Sequence, residues 1–277
     1  DIQDIGARSY TYISTMGVVM EAAAENNVAF MVLDRPNPLT GLRIEGRPID
    51  PKYEKIGSMV GKYPIPYLYG MTCGELARMI NEEGWLAKGV RCRLTVIAMR
   101  GWKRHMWFNQ TGLAWVPTSP HVPRADVAMY YAATGIMGEL QYITEGVGYT
   151  LPFELAGAPF IKDAEGFARS LNDRQLPGVR FRPIYFKPYY MDKIKGKQCG
   201  GVQIHIVDRD RVDLTGIQFH IMDVVGKLYP GTNVLANKDR IDMLGKVCGT
   251  DRIAEMLRDR VPAAEIIGFW NSGRDSF

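Results

Sequence analysis

The 277-residue chain lacks the marks of several large functional classes. Its four cysteines, Cys73, Cys92, Cys199 and Cys248, lie far apart and form no C-x-x-C pair. That argues against a zinc site and assigns each to a core position. One disulfide stays open as an alternative for an exported protein. No G-K-S or G-K-T occurs, and in Gly146-Val147-Gly148 the third glycine of a dinucleotide fingerprint is replaced by Leu151, so nucleotide binding is not expected. The nucleophile elbow G-x-S-x-G is absent. His105, His121, His205 and His220 show no H-x-x-x-H spacing. No metal and no other cofactor is expected. No apolar run is long enough to span a bilayer. Charge is equally undistinguished: Lys plus Arg is 34 and Asp plus Glu is 30, a net +4 scattered along the chain, too mild for a nucleic-acid partner. Neither a signal peptide nor an initiator Met precedes the chain, which is therefore expected to be a processed or trimmed product.

What is present reads as α/β. Ile2 and Ile5 suggest the tail of a buried strand. Residues 11–26 carry Ile13, Met16, Val19, Met20 and Ala23 at helical spacing. Residues 28–33 are a continuous apolar run, the pattern of a strand covered on both faces, stopped by Asp34-Arg35-Pro36-Asn37-Pro38. Strand, helix and buried strand form the repeat of a parallel sheet, in which ligands sit beyond the carboxyl ends of the strands. Asp1, Asp4, Asp34, Arg35 and Asn37 fall there.

Residues 38–70 are a long Gly-, Pro- and Tyr-rich excursion. Thr72 and Glu75 have the spacing of a capping box for a helix over 73–83. A strand follows at 91–99, with Leu94, Val96 and Ile97 inside, then an aromatic loop at 100–124 and a helix over 126–137. Beyond 151–165 the pattern changes to two long strands, 179–190 and 201–208, with helices near 165–172, 214–229, 251–260 and 262–270. The division expected is 1–155, an α/β domain, and 156–277, a smaller α+β domain.

Carboxylates and loop aromatics suit a carbohydrate site. Glycosidic cleavage commonly uses two carboxyl groups about 5–10 Å apart, and aromatic faces stack on sugar rings. The acids available are Asp1, Asp4, Asp34, Glu45, Glu139 and Glu145. Asp4, Asp34 and Glu145 stand within two residues of Gly or Pro at element ends. Tyr10, Tyr69, Trp102 and Trp115 lie in or beside loops, where burial and sugar stacking are both open readings. His121, in Ser119-Pro120-His121-Val122-Pro123, has no packing reason to be histidine, and a ligand contact is expected there.

The ordered stretches DIQDIGARSYTYISTM, LDRPNPLTG, YPIPYLYGMTCGELA, GLAWVPTSPHVP, TEGVGYTLPFELAGAP and GTDRIAEMLRDRVPAAEII resemble the NamZ-type exo-β-N-acetylmuramidases over nearly the whole chain. The resemblance implies a Rossmann-like parallel sheet joined to a smaller α+β domain. It also implies export by bacteria and release of N-acetylmuramic acid from peptidoglycan fragments or related amino-sugar glycans. The family's usual segment upstream of Asp-Ile-Gln-Asp, with a Pro-Glu-His-Gly glutamate, does not appear, so the Rossmann-like part is expected to be incomplete at its N-terminus.

On that reading Glu145 and Asp4 are the in-chain catalytic carboxyls expected nearest the scissile bond, one assisting protonation or positioning water, while the resemblance implies the upstream Pro-Glu-His-Gly glutamate as the principal acid. Asp1, Arg8, Tyr10, Asp34, Arg35, Asn37, Tyr69, Trp115 and His121 are implied as substrate-binding. Three positions depart from the family pattern. Tyr69 replaces a histidine, His121 an asparagine, and Val147 an arginine suited to a lactyl carboxylate. These changes raise a second reading, a glycan-binding paralogue that does not cut.

Overall fold

The computed structural model describes residues 1–189, 194–274 and 277, so the end of the strand expected at 179–190 lies outside the described residues. Two compact units emerge. One contains Asp1–Thr118, Pro123–Ala128 and Gly273–Phe277; the other contains Ser119–Val122 and Met129–Ser272. Among the described residues no helix is long and apolar enough to cross a membrane.

The first unit is mixed α/β. Residues 1–5 form no strand, contrary to the expectation; Ile5 is buried, but the segment is held by side chains instead. Helix α1, Tyr12–Glu25, buries Ile13, Met16 and Met20. Val19, expected on the same face, is 46% exposed. At 100° per residue it lies well off the stripe that 13, 16 and 20 define. Strand β1, Phe30–Leu33, is followed by the two-residue strand β2, Ile44–Glu45, helix α2, Pro51–Ile56, and strand β3, Leu68–Tyr69, which pairs antiparallel with β2. The excursion thus wraps the core, with Tyr53, Tyr63 and Tyr67 buried. Gly17 of α1 makes room for this: a Cβ there would overlap the Tyr63 hydroxyl.

Helix α3, Cys73–Glu82, starts with the expected capping box of Thr72 and Glu75. Strand β4, Leu94–Ile97, runs parallel to β1 from Phe30↔Leu94 to Leu33↔Ile97. The core joins Ile13, Met16 and Met20 of α1 to Val32, Leu76 and Ile80, with Phe30, Leu94 and Val96 packed against it. The strand pair is covered on this face only. Met31 (58% exposed), Leu33 and Ile97 point the other way, correcting the expectation of a strand buried on both faces with Ile97 inside. Period-two geometry sends alternate side chains to opposite faces, and both helices pack on one.

In the second unit, helix α4, Val127–Glu139, precedes strand β5, Leu155–Ala158, helix α5, Ala164–Asn172, and strands β6, Val179–Phe186, and β7, Cys199–Ile206. The sheet is antiparallel, in the order β5-β7-β6. Helices α6, Gly216–Leu228, α7, Ile241–Cys248, α8, Arg252–Arg258, and α9, Ala263–Trp270, complete it. Helix α7 is absent from the sequence reading. The Trp270 indole N–H donates to Thr215 Oγ1 (3.0 Å), and its ring meets Phe219 at 5.8 Å.

The units divide near 128, whereas the sequence reading places a boundary at 155. The reason is the attachment of α4. Thr134 Oγ1 donates to Phe153 O (3.0 Å), Gln218 Oε1 accepts from Met137 N (3.1 Å), and Gln218 Nε2 donates to Ala132 O (3.2 Å). All four cysteines are buried and free.

Candidate functional site

Within the first unit, the carboxyl ends of β1 and β4 open onto a cavity of about 390 Å³, lined by Asp34, Arg35, Arg100, Trp102, Met106 and Leu113 among others. This is where a parallel sheet places a ligand. Sequence reasoning finds Asp34 and Arg35 but misses Arg100. Its signal is the same as theirs, a polar residue just past a strand end.

Asp34 faces two ways. Its Oδ1 accepts from Gly74 N (2.7 Å) and Arg35 N (3.0 Å), and its Oδ2 from Thr72 Oγ1 (2.8 Å). The carboxylate therefore fastens the end of β1 to the N-terminus of α3, where a helix favours negative charge. Gly74 permits this approach, since a Cβ there would stand 2.7 Å from Asp34 Cγ. Arg35 borders the cavity with its Nε 3.3 Å from Gln3 Oε1 and 3.6 Å from Asp1 Oδ1. Gln3 Nε2 in turn donates to Pro36 O (2.9 Å). The opening Asp-Ile-Gln-Asp thus joins the rim of the β1 end.

Asp4 is buried. Its Oδ2 accepts from Gly6 N (2.8 Å) and from the Tyr69 hydroxyl, while its Oδ1 has no hydrogen-bond partner among the described residues. Burial pushes the carboxyl up to about 6, opposed by the bonds from Tyr69 and Gly6. Burial and then Asp4 raise the Tyr69 hydroxyl well above its ordinary value, so it stays a donor. Burial raises the Cys73 thiol too, with Asp4 and Asp34 adding to it.

Other expected binding residues are engaged in holding the fold. Arg8 is fully buried, with Nη1 donating to Arg47 O (3.0 Å) and Ile65 O, and its guanidinium 6.0 Å from the Tyr67 ring centre. Asn37 is buried, accepting from Leu39 N (2.9 Å) and donating to Met71 O (3.0 Å). The Tyr10 hydroxyl bonds Thr118 Oγ1, and its ring lies 5.0 Å from that of Tyr12. Trp115 is half-buried, edge-on to Phe108 at 4.9 Å. Glu45 is ion-paired with Arg43 at 2.6 Å.

In the second unit, Glu145 is 8% exposed, and its Oε2 has no hydrogen-bond partner among the described residues. Burial pushes it up to about 7; its own backbone N–H opposes this and Glu139 adds to it. Glu139 itself pairs with Arg240. The turn holding Glu145 is fixed by paired hydrogen bonds between Thr144 and Gly157 (2.8 and 3.0 Å) and by Gly146 at φ +88°, where a Cβ would strike Leu151 O at 2.5 Å. Gly138 of α4 leaves room for the carboxyl: a Cβ there would lie 2.7 Å from Glu145 Cδ. Val147 is buried. His121 is half-buried, its backbone N–H donating to Ser119 Oγ (3.2 Å). Among the described residues no three His, Cys, Asp or Glu side chains are grouped to hold a metal ion.

Each unit thus contains one sealed carboxyl with an unbonded oxygen and a raised proton affinity, Asp4 and Glu145. A raised proton affinity in a buried carboxyl is one sign of a functional site, and structural networks produce it too.

The chain resembles known proteins along most of its length. Residues 1–126 match the family described as exo-beta-N-acetylmuramidase NamZ, N-terminal, and residues 129–277 match its C-terminal counterpart. Over 230 residues, 83% of the chain, it is 46% identical to the peptidoglycan beta-N-acetylmuramidase NamZ of Bacillus subtilis (strain 168), covering 53% of that protein. The chain therefore spans about half the length of this curated relative. Two crystal structures of DUF1343 family proteins from Bacteroides fragilis align over the whole chain and 71% of their own. One has a TM-score of 0.94 at 48% identity, the other 0.77 at 28%. On these grounds the chain belongs to the NamZ exo-beta-N-acetylmuramidase family.

Proposed function

We propose that the protein is a glycosidase that releases terminal N-acetylmuramic acid from peptidoglycan fragments, outside the cytoplasm, on a Rossmann-like sheet of which the β1–β4 pair is part. The observation that carries this reading is the family match through both halves of the chain. The two buried carboxyls give it chemistry. Cleavage of a glycosidic bond needs a group still protonated near neutral pH and a second that is ionised there. Glu145, pushed up to about 7, suits the proton donor to the leaving oxygen. Asp4, pushed up to about 6, is mostly ionised at pH 7 and suits the group that orients water or steadies developing positive charge. Asp1, Arg35, Trp115 and His121 are the side chains we assign to sugar binding, with Arg8, Tyr10, Asp34, Asn37 and Tyr69 supporting them.

The test is incubation of the purified protein with a disaccharide that ends in N-acetylmuramic acid, with the free sugar read by mass spectrometry. Release that falls at least a hundredfold in Glu145→Gln supports the assignment. Binding of the disaccharide without any release overturns it. That second outcome is the signature of a glycan-binding paralogue, a reading motivated by buried Val147 standing where the resembling family carries arginine.

A further inference from the structure

The second unit contains a cavity of about 470 Å³ that includes none of the residues assigned above to catalysis or sugar binding. It lies between α6, the loop 229–235, α8 and α9, within the size range of small-ligand sites. Its walls divide by chemistry. Phe219 and Met222 of α6, Leu257 of α8 and Ile266 of α9 supply an apolar floor. Lys227, Arg258 and Arg260 stand on the rim, all exposed. The one carboxylate of the lining, Asp223, is already matched by Arg174 at 2.5 Å, a residue outside the cavity, and by Lys227 at 3.0 Å. The rim therefore carries an excess of positive charge.

Two sequence choices point to a pocket that is kept open. Gly226 lies inside α6, where glycine is among the poorest helix formers, and it lines the cavity. Nothing lies within 4 Å of where its Cβ would be, so no neighbour requires the glycine, and a side chain there would extend from the cavity wall. Arg260 adopts φ +55°, a conformation that favours glycine, yet carries a long cationic side chain that donates to Pro230 O (3.0 Å). It ties the α8–α9 turn to the loop that forms the opposite wall.

We infer that this cavity is a second binding site, which takes a short peptide through an aliphatic side chain and a free C-terminal carboxylate. The apolar floor with a cationic rim selects an aliphatic carboxylate. The choice of a peptide as its source rests on the proposed action on peptidoglycan, whose strands bear peptides.

The experiment is calorimetric titration of the full chain with N-acetyl-alanyl-alanine of either hand and with its C-terminal amide. Saturable binding of the acid is expected, at least tenfold tighter than the amide, weakened threefold or more by Arg258→Ala and tenfold or more by Gly226→Leu. At Gly226 an added Cβ meets nothing within 4 Å and leucine gains helix preference, so the variant is expected to fold, which its melting curve checks. Absence of saturation at millimolar peptide, or equal affinity for acid and amide or for parent and Gly226→Leu, overturns the assignment. Because a sugar-free peptide is the probe and binding the readout, loss of the glycosidase reading leaves this result standing.

Discussion

Glu145→Gln tests the buried carboxyl without requiring any substrate. In the folded protein Glu145 keeps its proton up to about pH 7, against an ordinary value of 4.5. Between those limits the folded state binds more protons than the unfolded one, so stability falls as pH rises through the window. At 1.36 kcal/mol per pH unit, the rise from 4.5 to about 7 corresponds to ~3 kcal/mol lost by pH 8 and none lost below about pH 4. Glutamine has the shape of the protonated acid and does not titrate. Both side chains leave a polar atom unbonded where Oε2 now lies, so that penalty cancels in the comparison. The variant is therefore expected to match the parent near pH 4.5 and to exceed it at pH 8 by ~3 kcal/mol, or about 6 °C at roughly 2 °C per kcal/mol. Scanning calorimetry at the two pH values reads the difference. An equal offset at both would refute the reasoning, because it would mean that the folded carboxyl ionises at its ordinary pH.

Three other substitutions probe the neighbouring architecture. Tyr69→Phe removes the hydroxyl that donates to Asp4; the carboxyl is expected to titrate above its present value of about 6, read by carboxyl NMR, with a stability loss of about 1–3 kcal/mol at pH 8 in denaturant unfolding. Gly74→Ala drives a Cβ to 2.6 Å from Val96 Cγ1 and 2.7 Å from Asp34 Cγ, and is expected to cost about 1–3 kcal/mol despite alanine's helix preference; unchanged stability would show that Asp34 is not held where described. Gln218→Leu leaves Ala132 O and Thr215 O without their side-chain donor and Met137 N without its side-chain acceptor, a loss of roughly 2–4 kcal/mol in thermal unfolding.

What the sequence shows depends on how local the determining interaction is. The start of α3 is legible because Thr72 and Glu75 satisfy each other across three residues. Helix α7 is legible in retrospect through Leu244, Val247 and Cys248 on one face and Gly249 after its end, but its short span resembles loop. Asp34 is recognisable as a strand-end carboxylate, yet its commitment to Gly74 N is forty residues away in the chain. Arg8 presents the same difficulty: the family resemblance marks it as a ligand contact, and only Ile65 O and Arg47 O, far along the chain, reveal a fully buried guanidinium. The run 28–33 misleads differently, since unbroken hydrophobicity says nothing of whether helices lie on one face or two. The seal around Glu145 depends on Gly138, seven residues earlier on another element, and on a turn pinned to β5.

The attachment of α4 to Gln218 has a practical consequence for taking the protein apart. A cut placed at 155 would strip from the C-terminal piece the helix whose Ala132 O and Met137 N meet that buried amide. The remnant would expose apolar surface from Ala132, Ala133 and Ile136 on the other fragment. Starting the C-terminal piece near residue 119 keeps the helix with its amide, and is the place to begin in designing separately expressible halves.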